Sequence, residues 1–201
     1  MGLFDMLFGG GSRSTVQALD DRIWLTEEAK FKGLGNQLDE SKDSAVILLI
    51  AHFEDTLAKL TAIADAYSGD VPLQATLAEN LSTDIAARLS IDETATIDLI
   101  VAERHPLLSA DDAIMQFAEE IPCNCRLAYH LSLEDPLLKL FVTDFVQRIL
   151  DSLGMNEDEP IESNMISRRV KAAQQKIEST ATGNSKAASA AEWLELNTPA
   201  Q

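Results

Sequence analysis

Three short apolar runs along the chain have the pattern of strands in a covered sheet. Residues 45–51 (AVILLIA) are continuously apolar, and residues 97–101 and 129–133 are apolar or alternating runs bounded by charged and turn-forming residues. Such runs are typical of parallel strands that are buried on both faces. A weaker run at residues 71–75 predicts a fourth, shorter strand.

Between these runs, apolar residues recur at the spacing of amphipathic helices. The first helix is expected over residues 27–38, because Thr26 stands at its start as a cap and two glutamates follow in its first turn. The other predicted helices cover residues 53–67, 77–89, 136–154 and 160–178. Pro136 and Gly154 occupy the positions that proline and glycine favour at the two ends of a helix.

The alternation of strands with helices predicts an α/β fold of three layers, with helices on both faces of a mainly parallel sheet and further helices closing the domain. The domain is expected to cover residues 20–178. Since the loops that leave parallel strands carry ligands in such folds, chemistry is expected within residues 103–126. Within this stretch, Glu103 and Arg104 are expected to form a structural salt bridge at the strand end, and Phe117 is expected to belong to the core. Asp135 is expected to cap the helix that follows it.

Segments of different composition flank the predicted domain. Residues 1–19 are interpreted as an amphipathic tail followed by a glycine and serine linker. Residues 179–201 are interpreted as a flexible tail, because they contain few large apolar residues. Trp193, Leu194 and Leu196 are the exceptions, and they are expected to hold this tail to the domain.

Composition narrows the classes of partner. The chain has 201 residues, of which 33 are acidic and 16 basic, so its formal net charge is -17. A field of this sign repels phosphate backbones, and nucleic acid is therefore not expected as a partner. With 46% hydrophobic residues, the chain has enough apolar material for a core. It carries no apolar run near the roughly 20 residues that span a bilayer and no secretory signal pattern, which favours the cytoplasm.

The first eight residues carry an apolar cluster at helical spacing, formed by Leu3, Phe4, Leu7 and Phe8. Two interpretations stay open: a segment that docks on a membrane surface or in a partner's groove, and a frayed terminus that packs loosely on its own domain. Asp5 and the absence of a basic residue before Arg13 count against lipid. The first interpretation gives an alternative function, a peripheral tether at the inner face of the membrane.

Two cysteines raise the question of a metal. Cys123 and Cys125 lie in the tripeptide CNC, and His105 and His130 lie near them in the sequence. These four residues are weak candidates for a zinc site in a rebuilt metal-dependent enzyme, since structural zinc sites usually place two to four residues between cysteines. Buried or loop thiols are the favoured interpretation, and no metal or other cofactor is expected.

Several motifs resemble one family. The segment IVAERHP, which includes His105, is similar to VIGTERHES in the second motor domain of SecA, the ATPase family that drives preprotein export. YHLSLEDPLLKLF, from Tyr129, resembles that family's FYLSLEDDLMRIF. DDRIWLTEEAKFKGL, from Asp20, resembles the connector DLVYKTEEAKYKAV, and SAVILLIAHFED resembles the strand and turn PVLVGTVSIEK. The segment LGMNEDEPIESNMISRRVKAAQQKIES, which contains Gln174, is similar to LGMEEGEPIEHKMVTRAIENAQKKVES. The likeness is colinear over residues 20–178 and implies a RecA-like fold.

The chain departs from this family at the nucleotide motifs. The spacing between ERH and LSLED places the family's motif VI, QLRGRSGRQGDPG, on AIMQFAEEIPCNC at residues 113–125. Met115, Phe117 and Glu120 then stand where the family has arginines that read the γ-phosphate of the nucleotide. Such an arginine raises the rate of phosphoryl transfer by a factor of roughly 10³ to 10⁵, and none of these replacements supplies its positive charge.

Other nucleotide motifs are also missing from the sequence. Residues 75–85 match only the two ends of the family's motif V, ATNMAGRGTDI, and they fit an earlier family segment equally well. A P-loop and the DEAD-box half of the motor are absent from the sequence. The resemblance therefore predicts no catalytic and no nucleotide-binding residue. It predicts a silent domain that binds another protein: an export component, a full-length SecA, or an unrelated partner.

Overall fold

The computed structural model of the chain describes residues 16–88, 91–141, 159–162 and 164–199, except for the side chains of residues 86, 87 and 141. Its strands are β1 (Val16–Ala18), β2 (Arg22–Trp24), β3 (Val46–Ala51), β4 (Leu73–Leu77), β5 (Thr96–Val101), β6 (Asn124–Ser132) and β7 (Ile161–Glu162). Its helices are α1 (Glu27–Glu40), α2 (Glu54–Ala66), α3 (Ile85–Arg88), α4 (Leu108–Glu120), α5 (Pro136–Phe141), α6 (Asn164–Thr180) and α7 (Ala190–Asn197), with a 3₁₀ turn at Ala78–Asn80.

The strands form one sheet in the order β4-β3-β5-β6-β2-β7, and β1 pairs with β6 beside β2. Every pairing is parallel except that of β7 with β2. The nine residues of β6 pair along one side with β5 and along the other with β1 and then β2. The predicted mainly parallel sheet is therefore confirmed.

Successive residues of β3 pack on opposite faces of the sheet. Val46, Leu48 and Ile50 contribute to a core that also contains side chains of α4, α6 and α7. Ile47, Leu49 and Ala51 contribute to a second core with side chains of α1 and α2. All six residues are buried, as the continuous apolar run predicts. This arrangement confirms the predicted three-layer α/β fold and is consistent with the RecA-like fold that the resemblance implies.

The predicted elements at the start of the domain are confirmed. The hydroxyl oxygen of Thr26 accepts a hydrogen bond from the Ala29 amide and caps α1, whose first turn carries the two glutamates. The strand predicted at residues 45–51 is β3, and the helix predicted at residues 53–67 is α2.

The helix predicted at residues 77–89 is wrong. Leu77 continues the parallel ladder beside Ala51, so β4 covers Leu73–Leu77 and not residues 71–75. Ser82 then accepts a hydrogen bond from the Asp84 amide, which favours a turn over a helix. The described part of this stretch contains only the 3₁₀ turn and the four residues of α3.

The later segments also differ from the predictions. Pro160 precedes the short strand β7, and α6 begins only at Asn164. The start of the helix predicted at residues 136–154 is confirmed by α5, while residues 142–158 lie outside the described residues. Residues 179–201, interpreted above as a flexible tail, contain α7, whose Trp193 is 1% exposed. Leu194 is buried as expected, but Leu196 is exposed.

A close approach between α1 and β2 fixes the position of the first helix. A Cβ atom on Gly33 would lie 2.0 Å from the Trp24 ring, so the indole occupies the space that a methyl group would need. The resembling family connector has tyrosine and alanine at these two positions. Compared with that tyrosine and alanine, Trp24 is larger and Gly33 is smaller, so the loss of a methyl group at Gly33 makes room for the indole.

We expect Gly33→Ala to lower the free energy of unfolding by about 2 kcal/mol, because overpacking outweighs the gain in helix propensity. Adding Trp24→Tyr should recover most of this loss, with a coupling of about 1 kcal/mol or more in a double-mutant cycle followed by urea unfolding. Gly35→Ala is the matched control, since its Cβ would meet nothing within 4 Å. Equal effects of the two alanine substitutions would contradict the close approach.

Candidate site at the carboxyl edge of the sheet

Polar side chains gather where β3 and β5 end. His52 follows β3 directly, and Glu103, Arg104 and His105 follow β5. The carboxyl ends of parallel strands form the usual ligand-binding edge of an open α/β sheet. This edge is therefore the candidate functional site. The sequence predicted only the part of it that follows β5.

Glu103 is buried, and both of its carboxylate oxygens accept hydrogen bonds from neighbouring residues. Its Oε1 atom accepts hydrogen bonds from the backbone amides of His52 at 2.9 Å and Phe53 at 3.1 Å. Its Oε2 atom accepts a 2.8 Å bond from the Thr56 hydroxyl. Burial raises the pKa of this carboxyl, against the opposing effects of His52 and Thr56. Glu103 thus joins the end of β5 to the start of α2.

Asp111, at the first turn of α4, is the centre of a second network. Its carboxylate accepts bonds from His52 Nε2 at 2.8 Å, Gln174 Nε2 at 2.6 Å and Arg104 Nη1 at 3.3 Å, and from the His105 amide. Burial favours a higher pKa for Asp111, but the hydrogen bond from His52 and the charge of Arg104 outweigh it and lower the pKa. This network ties β3, β5, α4 and α6 together.

The sequence suggested that Glu103 and Arg104 pair with each other, and this is wrong. Arg104 binds Asp21 and Asp111 instead, and its guanidinium stacks 3.4 Å from the centre of the Tyr129 ring. Adjacent residues at a strand end point to different sides, so each finds a separate partner. Both side chains still have the structural role that the sequence suggested.

A cavity of about 630 Å³ opens beside these networks. Its lining includes His52, Phe53 and His105. His105 stacks on Phe53 with a centroid distance of 5.2 Å, and burial lowers its pKa to about 4, so it is neutral at physiological pH. The described charged residues of the lining are Glu54, Glu79, Glu192 and Lys186, and Lys186 pairs with Glu79. The cavity is therefore acidic overall.

The three motif VI positions do not converge on this cavity or on one another. Met115 is half-buried and lines a separate cavity of about 370 Å³ near Arg104 and Tyr129. Phe117 is 6% exposed and belongs to the core, as expected from the sequence. Glu120 is exposed at the end of α4 and accepts a bond from Gln116. The three residues occupy three different environments on one helix.

The structure does not bring the four zinc candidates together. Cys125 pairs with Ile97 at the start of β5, whereas His105 follows the other end of that strand. At about 3.3 Å per residue, they lie roughly 20 Å apart. Burial also raises the pKa of Cys125 to about 12, so this thiol is not a ready ligand. Among the described residues, no group of three or more metal-binding side chains is found.

Two parts of the sequence interpretation concern membranes. Leu3, Phe4, Leu7 and Phe8 lie outside the described residues, so their docking role stays a prediction. Within the part of the chain that is described, no helix combines the length and hydropathy that a membrane crossing requires.

His130, the fourth zinc candidate, is fully buried between α1 and the sheet. Its Nδ1 atom accepts a 3.2 Å bond from the Trp24 indole, and its Nε2 atom donates to Gln37. This pairing places the single ring proton on Nε2. Burial, together with the charges of Arg22 and Lys30, lowers the pKa of His130 to about 3.

The buried His130 makes stability depend on pH. The unfolded chain takes up a proton here below about pH 6.5, whereas the folded protein does so only near pH 3, so stability is lost as the pH falls through this window. His130→Gln removes this titration. We expect the difference in unfolding free energy, wild type minus variant, to fall by about 1.4 kcal/mol per pH unit below pH 6.5 in urea titrations. A difference independent of pH would contradict the low pKa.

The chain is similar to the protein translocase subunit SecA of several bacteria. It is 29% identical over 182 residues to that of Desulfotalea psychrophila, with 79% of this chain and 21% of that protein aligned. It is 30% identical over 184 residues to that of Campylobacter fetus subsp. fetus, covering 80% and 22%. The chain spans about a fifth of the length of these relatives. No family model matches it.

Proposed function

Because the chain is homologous to part of the protein translocase subunit SecA, we propose that it is a catalytically silent SecA-like domain that acts in protein translocation by binding another protein. The observation that carries the proposal is the state of the carboxyl edge of the sheet. The adjoining cavity carries three glutamates and a single lysine, which is paired with one of them, so a phosphate would meet net negative charge there.

Electrostatics at this edge oppose nucleotide binding. A nucleotide triphosphate needs cations or free amide donors at its phosphates. Glu54, Glu79 and Glu192 supply the opposite charge, and Lys186 is engaged by Glu79. The positions that align with the family's phosphate-reading arginines are Met115, Phe117 and Glu120, which carry no positive charge.

The residues that resemble the family make contacts that hold the helices and strands of the domain together. Lys30, from TEEAK, forms a 2.7 Å ion pair with Asp135, from LSLED, and Glu134 accepts a 2.7 Å bond from the Glu27 amide. Gln174, from the AQQK segment, holds Asp111 and the His105 carbonyl. A chain that keeps these internal contacts and lacks the phosphate-reading charges is suited to recognising a protein by its surface.

Two experiments address this function. Affinity capture of the tagged chain from its native cell, compared with a tagged acidic protein of similar size, is expected to enrich a component of the export machinery. Mixing the purified chain with the P-loop-bearing half of a SecA motor is expected to add no ATP hydrolysis to that of the half alone. Capture without any export component would contradict the link to translocation, and new hydrolysis would contradict catalytic silence.

The proposal places the chain in the cytoplasm, at the inner face of the membrane, where export begins. Leu3, Phe4, Leu7 and Phe8 remain the candidate docking residues there. Flotation of the full chain with liposomes, with and without its first eleven residues, separates docking on lipid from docking on protein.

A further inference from the structure

Residues 182–198, here called the strap, cover the candidate edge of the sheet. They follow the last residues that resemble the SecA family, and they end with α7. Five of them, from Asn184 to Ala188, line the acidic cavity together with Glu192 and Trp193. The strap therefore occupies the crevice in which open α/β sheets usually bind their ligands.

Most polar contacts of the strap lie within the strap itself. Asn197 is fully buried and closes it into a loop: its Oδ1 atom accepts a 2.6 Å bond from the Ser185 amide, and its Nδ2 atom donates to the Ser185 and Trp193 carbonyls. Its own carbonyl accepts from the Thr182 amide at 2.8 Å. These bonds organise the strap without help from the sheet.

The start of α7 is organised locally as well. Ser189 caps the helix by accepting a 3.2 Å bond from the Glu192 amide, and the Glu192 carboxylate accepts a 2.7 Å bond from the Ala188 amide. This is the reciprocal arrangement of a capping box, shifted by one residue. Since its own bonds hold its shape, the strap has the character of a preformed unit.

Among the described residues, few polar contacts join the strap to the edge of the sheet. The Ala188 carbonyl accepts a 3.1 Å bond from the Asp55 amide at the start of α2, and Lys186 forms a 3.0 Å pair with Glu79. The Lys186 pair is exposed, and such pairs contribute little to stability. The strap is thus attached mainly by its buried apolar side chains.

Trp193 is the main anchor of the strap. Its ring packs edge to face on His105 at a centroid distance of 5.3 Å, and His105 in turn stacks on Phe53. The indole Nε1 atom donates a 2.9 Å bond to Asn184 within the strap, which fixes the ring orientation. Ala190 and Leu194 are also buried, and α7 contacts α5. Without the strap, Phe53 and His105 would be left as an uncovered aromatic pair.

We propose that the strap is a releasable internal ligand of this crevice, and that its release exposes Phe53 and His105 as the surface that receives an aromatic side chain of a protein partner. The release of the strap is inferred from the contacts described above. The identity of the crevice as the protein-binding site rests on the proposed function.

The test is competition by a labelled peptide that spans residues 180–199, followed by fluorescence anisotropy. The peptide should bind the full-length Trp193→Ala chain at least tenfold more tightly than the wild-type chain, in which the intact strap competes at a millimolar effective concentration. The Leu196→Ala chain is the matched control, since Leu196 lies on the same helix and is 54% exposed, and it should behave as wild type. A peptide that itself carries Trp193→Ala should bind neither chain.

Three results would overturn the releasable strap. One is equal affinity of the peptide for the Trp193→Ala and wild-type chains. Another is no saturable binding to a Trp193→Ala chain that keeps a native circular dichroism spectrum. The third is an unfolded Trp193→Ala chain, because a releasable strap leaves the rest of the domain folded. Peptide binding without any captured export component would keep the strap and reject only its link to translocation.

Discussion

Phe117→Arg is expected to lower the free energy of unfolding by about 4 kcal/mol or more. The substitution restores an arginine at a position where the resembling family has one. Phe117 is 6% exposed among the core side chains of α4, so the change removes a large apolar group and buries an unpaired charge. Urea unfolding followed by circular dichroism gives the loss directly.

Glu120→Arg is the matched control for this prediction. Glu120 is exposed on the same helix, and an arginine there should change the free energy of unfolding by about 0.5 kcal/mol or less. If Phe117→Arg proved as mild as Glu120→Arg, the assignment of Phe117 to the core would be wrong. The expected contrast means that arginines at the three aligned positions would not create a phosphate-reading motif, since the core uses one of these positions.

Asp135→Ala is expected to cost about 3 to 5 kcal/mol, because it leaves the ammonium of Lys30 buried without a counter-charge. Lys30 is 2% exposed, and its Nζ atom lies 2.7 Å from Asp135 Oδ1. Asp135 Oδ2 accepts a bond from the Ser132 amide, so the side chain joins α1 to the end of β6 rather than capping α5 as its sequence position suggested. Burial raises the pKa of Asp135, against the effect of Lys30.

Removing the partner tests whether the buried charge causes this loss. Adding Lys30→Met to Asp135→Ala should recover part of the stability, since both charges are then gone and an apolar chain of similar length fills the space. Urea unfolding of the two single variants and the double variant completes the cycle. A double variant less stable than Asp135→Ala alone would show that the loss arises from some other contact of Asp135.

The sequence predicted those elements whose local pattern and final environment agree. The run AVILLIA becomes β3 because both faces of this central strand are covered, and α1 begins at Thr26 because the cap is a local interaction. The short strands β1 and β2 were not predicted, since three residues give no periodicity, and they exist because the side of β6 that faces away from β5 offers them a partner over residues 125–127 and 130–132.

The helix α4 was missed although its signal was present. Ile114, Phe117, Ala118 and Ile121 follow helical spacing, but the stretch was interpreted through its likeness to a phosphate-binding motif. The candidate site was half predicted. The sequence places the site within residues 103–126, which contain Glu103, His105 and Asp111, whereas His52 and Gln174 join them only through the tertiary packing of β3 and α6.

The sequence does not predict the role of the strap, because this role also depends on tertiary packing. Residues 179–189 are small and polar, which is typical of linkers, and the buried Asn197 that closes the strap looks like an ordinary surface residue in the sequence. Only Trp193 and Leu194 signalled attachment to the domain. When a polar residue organises a loop through side-chain hydrogen bonds, the composition of the loop does not reveal that this residue is buried.

The central claim, that this SecA homologue does not read nucleotide, is tested most directly by titrating the purified full-length chain with ATP and Mg²⁺ in an isothermal calorimeter. The acidic cavity and the apolar or acidic residues at the motif VI positions predict no saturable binding up to millimolar ATP. Saturable binding with a micromolar dissociation constant would contradict the claim.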